Sequence, residues 1–199
     1  MSLAITITVL VGIVLVVAFL FFIKKGNTKS ISQKETVQTL PPQKQANKNP
    51  YSDLRQMAFD VSTQKLEISF PNDEVKVYGI IMDMDMGGGI ATLVAYSTGD
   101  ASTYLSTGGG VIGGGQHDAV NKAAKKLIAQ AQNYLTKAIL VSETPTASNG
   151  VVNIYFLTNN GKYLIKEQLS NFNSEKSSIQ LLFYEANDVI TQLRMCTNK

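Results

Sequence analysis

Residues 108–115 read GGGVIGGG, and within them Gly108, Gly110 and Gly113 match G-x-G-x-x-G between a predicted strand and a predicted helix. Glycines let a backbone approach a phosphate closely, and a helix N-terminus offers free N–H groups to an anion. Gly108, Gly109, Gly110, Gly113, Gly114 and Gly115, with His117 just beyond, are therefore the candidate ligand-binding residues, and an anionic small molecule is the expected ligand. Against this stand the antiparallel look of the neighbouring strands and the lack of an acidic residue about 20 positions on to end a second strand. Tight turns and close helix–sheet packing use glycine equally well without any ligand.

The other reactive side chains do not assemble into a catalytic group. His117 is the only histidine, and an imidazole can carry a proton near neutral pH. Its neighbour Asp118 points elsewhere on a helix and reads as a helix-start carboxylate, and no nucleophile follows at i+3 or i+4. Asp83 and Asp85 precede Gly87–Gly89 in the manner of a calcium loop, but a third oxygen ligand is missing and Val94 stands where a bidentate Glu belongs. The expectation there is two solvated acids on a hairpin. Cys196 is the only cysteine, which excludes an internal disulfide or a multi-cysteine metal site, and it reads as incidental in a polar tail. No catalytic residue, metal site or cofactor is expected. Tyr78, Tyr96, Tyr104, Tyr155 and Tyr163 fall on predicted strands, where they serve either sheet packing or a binding surface.

The elements that must position these residues begin with an apolar segment. Leu3 to Ile23 contains no charge and is diluted only by Thr6, Thr8 and Gly12. Its 21 residues would form a helix of roughly 31 Å, the thickness of a bilayer's hydrocarbon core. A cleaved signal peptide would show a basic start, a shorter apolar run and small residues at its end, and this segment ends in Phe21-Phe22-Ile23 against Lys24-Lys25. Residues 1–23 are thus expected to be a transmembrane helix, with the lipid bilayer as partner of residues 3–23. Lysines flank only its C-terminal side, which predicts a single-pass protein of the cell membrane with its C-terminal domain in the cytoplasm.

Residues 24–50 form a Lys-rich linker with neither helical nor strand periodicity. Lys24, Lys25, Lys29, Lys34, Lys44 and Lys48 face only Glu35, an excess of five positive charges that leaves −2 of the net +3 for the remainder. A basic nucleic-acid-binding face is therefore not expected on the domain, and nucleic acid is not a predicted partner.

Residues 51–199 are expected to form one α+β domain with an antiparallel sheet of about five strands and helices packed on it. Asn49-Pro50 signals a helix start, with Tyr51, Leu54, Met57 and Ala58 on one face. Strands are predicted over 76–83, 90–97 and 101–106, and again over 151–157 and 162–168 around Asn159-Asn160-Gly161. Val120, Ala124, Leu127, Ile128, Ala131, Leu135 and Ala138 mark an amphipathic helix. Ser177 and Gln180, spaced as a capping box, announce a last helix with Ile179, Leu182, Phe183, Ala186, Val189, Ile190 and Leu193 inside. This order of helix, three strands, helix, two strands and helix, with helices on one face, resembles the profilin-like, roadblock and longin group of small domains. That resemblance implies a dimerising scaffold or a ligand sensor. The expected function is a membrane-anchored interaction or scaffolding domain that binds a protein partner or itself, with anionic-ligand sensing at 108–115 as the alternative.

Overall fold

The computed structural model describes residues 49–71 and 73–197. The predicted transmembrane helix and nearly all of the Lys-rich linker lie outside the described residues. Among those described, no helix is long and apolar enough to cross a membrane.

The central element is β1 (Val77–Asp85), a run with both sides buried. Its neighbours are β2 (Ile90–Tyr96), β3 (Ala101–Leu105) and β4 (Gly110–Val111) on one side, and β6 (Val151–Thr158), β7 (Gly161–Gln168) and β5 (Ile139–Val141) on the other. The fold is α+β, with seven antiparallel strands in the order β4-β3-β2-β1-β6-β7-β5. The two short strands β4 and β5 extend the expected five. They escape a periodicity reading because two or three residues cannot display a period.

From Gly79 onward strand alternation sends successive β1 residues to opposite faces, and a register irregularity between Val77 and Gly79 leaves Tyr78 on the same side as Ile81. Ile80, Met82 and Met84 join Leu93, Ile154 and Phe156 under helices α2 (Asp118–Ala131) and α4 (Gln180–Thr197). Tyr78 and Ile81 join Val94, Tyr96, Tyr155 and Leu157 on the other face, beneath α1 (Tyr51–Phe59) and residues 61–70. The sheet is therefore covered on both faces, where helices on one face were expected. A central strand without polar alternation requires this, since either face left open would wet a row of large apolar side chains.

Local sequence explains most of the boundaries. Asn49 Oδ1 accepts from the Tyr51 N–H at 3.1 Å, and Leu54 N–H bonds to Pro50 O at 2.9 Å, so the predicted helix start is observed. The buried face of α1 is Tyr51, Arg55, Ala58 and Phe59, however, and Met57 points to solvent. α2 ends where the Gln132 side chain takes the place of a strand neighbour, accepting from Val77 N–H at 2.9 Å and donating to Val75 O at 3.0 Å. The chain then tightens into a 3₁₀ turn over Gln132–Lys137. The β6–β7 turn places Asn159-Asn160 between paired Thr158 and Gly161, and only Gly161 takes positive φ. The predicted capping box does not form. Ser177 Oγ accepts from Ile179 N–H at 3.2 Å, but Gln180 Nε2 donates to Phe172 O in the short helix α3 (Leu169–Asn173).

Segment 58–61 is pinned by phenols, with Tyr96 OH donating to Ala58 O at 2.8 Å and Tyr78 OH to Val61 O at 2.9 Å. Burial raises the pKa of both, and that of Tyr155 to about 12. A phenol whose folded pKa lies above its unfolded value contributes stability that is complete below about pH 10 and lost as pH rises through the folded value. Melting temperature should therefore fall steeply between about pH 10 and 12, in step with tyrosinate absorbance, and Tyr78→Phe should blunt the fall.

Candidate functional site

The glycine loop is divided between packing and open space. Gly110 has φ +145°, and a Cβ there would lie 2.1 Å from Thr103 O. A Cβ on Gly114 would strike Leu193 at 2.2 Å, and one on Gly115 would strike the Asp100 carboxylate at 2.3 Å. These three glycines let β4 and the turn before α2 approach β3 and α4. Gly108, Gly109 and Gly113 take positive φ and meet nothing within 4 Å. His117 and Asp118 are exposed at the start of α2, and the His117 N–H bonds to Gly114 O at 3.0 Å. The loop thus brings Gly110 and Val111 to the cleft described next, while His117 lies apart from it.

That cleft opens between α4 and the β1–β4 side of the sheet and encloses about 500 Å³. Register places Met84, Ala91 and Leu105 side by side across β1, β2 and β3, with Thr103 beside Val111. Small residues at Ala91 and Gly110 leave room that Phe183 and Ile190 of α4 do not fill. Phe183 is held as a wall by stacking on Phe172, with ring centroids 3.9 Å apart. Met86 and Leu105 reach solvent at 62% and 41% exposure. The lining is predominantly apolar, with polar groups from Thr92, Thr103, Asn187 and Arg194.

A dense polar cluster lies on the opposite face. Asp83 is fully buried rather than solvated. Arg55 Nε donates to its oxygens at 3.0 and 3.2 Å, and Nη2 donates at 2.5 Å. Thr92 Oγ1 donates to Asp83 Oδ1 at 2.6 Å, so the 2.8 Å bond between Tyr51 and Thr92 must run from the phenol to the threonine oxygen. Burial lowers the Arg55 pKa, but the hydrogen bonds and charge of Asp83, with smaller contributions from Tyr155 and Tyr51, together outweigh it, and the net shift is upward. The guanidinium lies over the rings of Phe59 and Tyr155, at 4.8 and 5.8 Å. The Pro145 carbonyl then accepts from Arg55, Asn153 and Tyr155, tying residues 142–150 to the cluster.

Asp85, the second acid of the pair, accepts from the N–H groups of Gly87 and Gly150, both at 2.9 Å, and these bonds lower its pKa. Asp83 and Asp85 therefore share no ligand. Among the described residues, no group of three or more His, Cys, Asp or Glu side chains could hold a metal ion. Cys196 sits in the last turn of α4, partly packed on the core, rather than in a polar tail. Comparison of the chain with protein-family models, with curated proteins and with solved structures gives no match.

Removing one partner of a buried ion pair strands the other charge, at a cost of about 3–5 kcal/mol. Arg55→Met should therefore lower the melting temperature by on the order of 10 °C. Arg55→Met with Asp83→Leu should recover most of that loss, a pattern that thermal unfolding of the single and double variants would reveal.

Proposed function

We propose that this chain is a single-pass membrane protein whose domain is an interaction module, and that the cleft between α4 and β1–β4 is where a protein partner seats a short apolar segment. The observation that carries this reading is the cleft's apolar lining with exposed Met86 and Leu105 at its mouth. Methionine supports adaptable recognition, because an unbranched, polarisable chain moulds itself to different partners. Asn49, just before α1, donates its side-chain amide to Ser106 O, next to Leu105 at the mouth of the cleft. The apolar segment 3–23 and the Lys-rich stretch after it support a membrane location with the domain on the cytoplasmic side.

A photo-crosslinking residue at Leu105 or Met86 of the full chain in cells should capture one discrete partner, and Ala91→Phe should abolish the product by filling the floor of the cleft. The same residue at exposed Met57, on the far face, should capture none of that partner. An identical product from all three positions would overturn the reading. For orientation, Met57→Cys in a Cys196→Ser chain should react with a membrane-impermeant maleimide only after the membrane is opened. Labelling of intact cells would reverse the topology.

A further inference from the structure

Asn149-Gly150 and Asn160-Gly161 are the two Asn-Gly steps in the chain. At such a step the glycine nitrogen attacks the asparagine side-chain carbonyl readily, because no Cβ crowds its approach. The new C–N bond closes a cyclic succinimide as the side-chain nitrogen leaves as ammonia. Water then opens the ring at either carbonyl, giving aspartate or, with the main chain lengthened by a methylene, isoaspartate.

The fold treats the two steps differently. Asn149 is exposed, and it and Gly150 take left-handed φ of 57° and 71°. The Gly150 N–H donates to Asp85 Oδ2 at 2.9 Å, and the Asn149 N–H also turns toward that carboxylate. The Gly150 carbonyl accepts from the Leu169 N–H at 2.9 Å, so Gly150 is held through both its backbone groups. The Gly87 N–H bonds to the other Asp85 oxygen at 2.9 Å, and this set of donors favours the ionised acid. Attack requires the Gly150 nitrogen to give up its proton, and an amide anion forming beside a carboxylate is repelled by it. At Asn160-Gly161 the Thr158 hydroxyl accepts from the Asn160 N–H at 3.1 Å and donates to Gly161 O at 2.8 Å. Among the described residues, no carboxylate bonds to the Gly161 N–H.

We propose that Asn149-Gly150 is a latent modification site guarded by Asp85, converting to aspartate and isoaspartate only when the Asp85 clasp opens. Conversion is one-way. The isoaspartyl methylene displaces the Gly150 N–H from Asp85, and the new carboxylate adds a second negative charge near it, so the clasp does not close again. The stretch released is 142–150, whose Pro145 carbonyl accepts from Arg55, Asn153 and Tyr155. Nothing in this proposal rests on the cleft reading.

The test follows the full chain over weeks at neutral pH, by peptide mapping that separates asparagine, aspartate and isoaspartate at positions 149 and 160. In urea, where the clasp is absent, both steps should convert at similar rates. In the folded chain Asn149 should convert about tenfold more slowly than in urea, or slower still. Asp85→Asn, which keeps the size and removes the charge, and Asp85→Ala should each restore most of the lost rate at 149 and leave 160 unchanged. Asn160 thereby monitors global opening within the same molecule. Equal conversion of Asn149 in the folded and unfolded chain would overturn the proposal, as would protection that survives both substitutions. A rise at 149 matched by the same rise at 160 would also overturn it, since that reports unfolding and not the clasp.

Discussion

A charged carboxylate lies fully buried in the middle strand of this sheet, and the arrangement of the α1 face follows from the need to satisfy it. Asp83 cannot face water, because β1 is central and both its faces are covered. An isolated buried carboxylate would cost several kcal/mol, so folding must bring it a cation with matching geometry. Arg55 supplies the planar fork, and its stem and ring contacts belong to α1. A lysine at this position would offer a point charge without the two-oxygen grip or the stacking on Phe59 and Tyr155. The net stabilisation from such a pair is modest. Its main effect is selective, since only one placement of α1 puts the guanidinium on Asp83, the phenol of Tyr51 on Thr92 and a second Nη2 hydrogen on Pro145 O. The helix, the 142–150 loop and strands β1, β2 and β6 are thereby located together.

Long periodic elements were legible in the residues. The stripe Val120, Ala124, Leu127, Ile128 and Ala131 is buried as its spacing predicts, as are Leu182, Ala186, Val189 and Leu193 of α4. The α1 face is the exception, since the apolar stripe Tyr51, Leu54, Met57 and Ala58 predicts Met57 inside, whereas Arg55 is buried and Met57 faces solvent. A signal was nonetheless present. Asp83 interrupts a run apolar on both faces, the chain holds only two arginines, and Arg55 lies four residues from both Tyr51 and Phe59 on one helical face. A buried acid and an arginine on an apolar stripe call for each other. The cleft left no such trace, because it arises from register. Met84, Ala91 and Leu105 are 7 and 14 positions apart in the chain and become neighbours only when β1, β2 and β3 pair.

The glycine run shows how one pattern can serve two physical ends. Its spacing suits an anion cradle, yet Gly110, Gly114 and Gly115 are held against Thr103 O, Leu193 and Asp100 by contacts that would exclude any side chain. The close approach at Gly110 is also what lowers the floor of the cleft beneath Phe183 and Ile190. Gly110 therefore shapes the cleft through backbone proximity alone.

The two faces of the sheet divide polar and apolar work. On the α1 face, Arg55 Nε and Nη2, the Asp83 carboxylate, the Thr92 hydroxyl and the Tyr51 phenol are all bonded to protein groups, and the rings of Phe59 and Tyr155 lie beside them. Of this cluster only Thr92 also borders the cleft. Arg194 is the only ionisable side chain along the cleft. An apolar hollow with movable methionines and a stacked aromatic wall gains binding energy from area removed from water and from shape, the terms by which one protein recognises another. The buried ion pair and the cleft thus lie on opposite faces of the sheet, the arrangement on which the proposed recognition role rests.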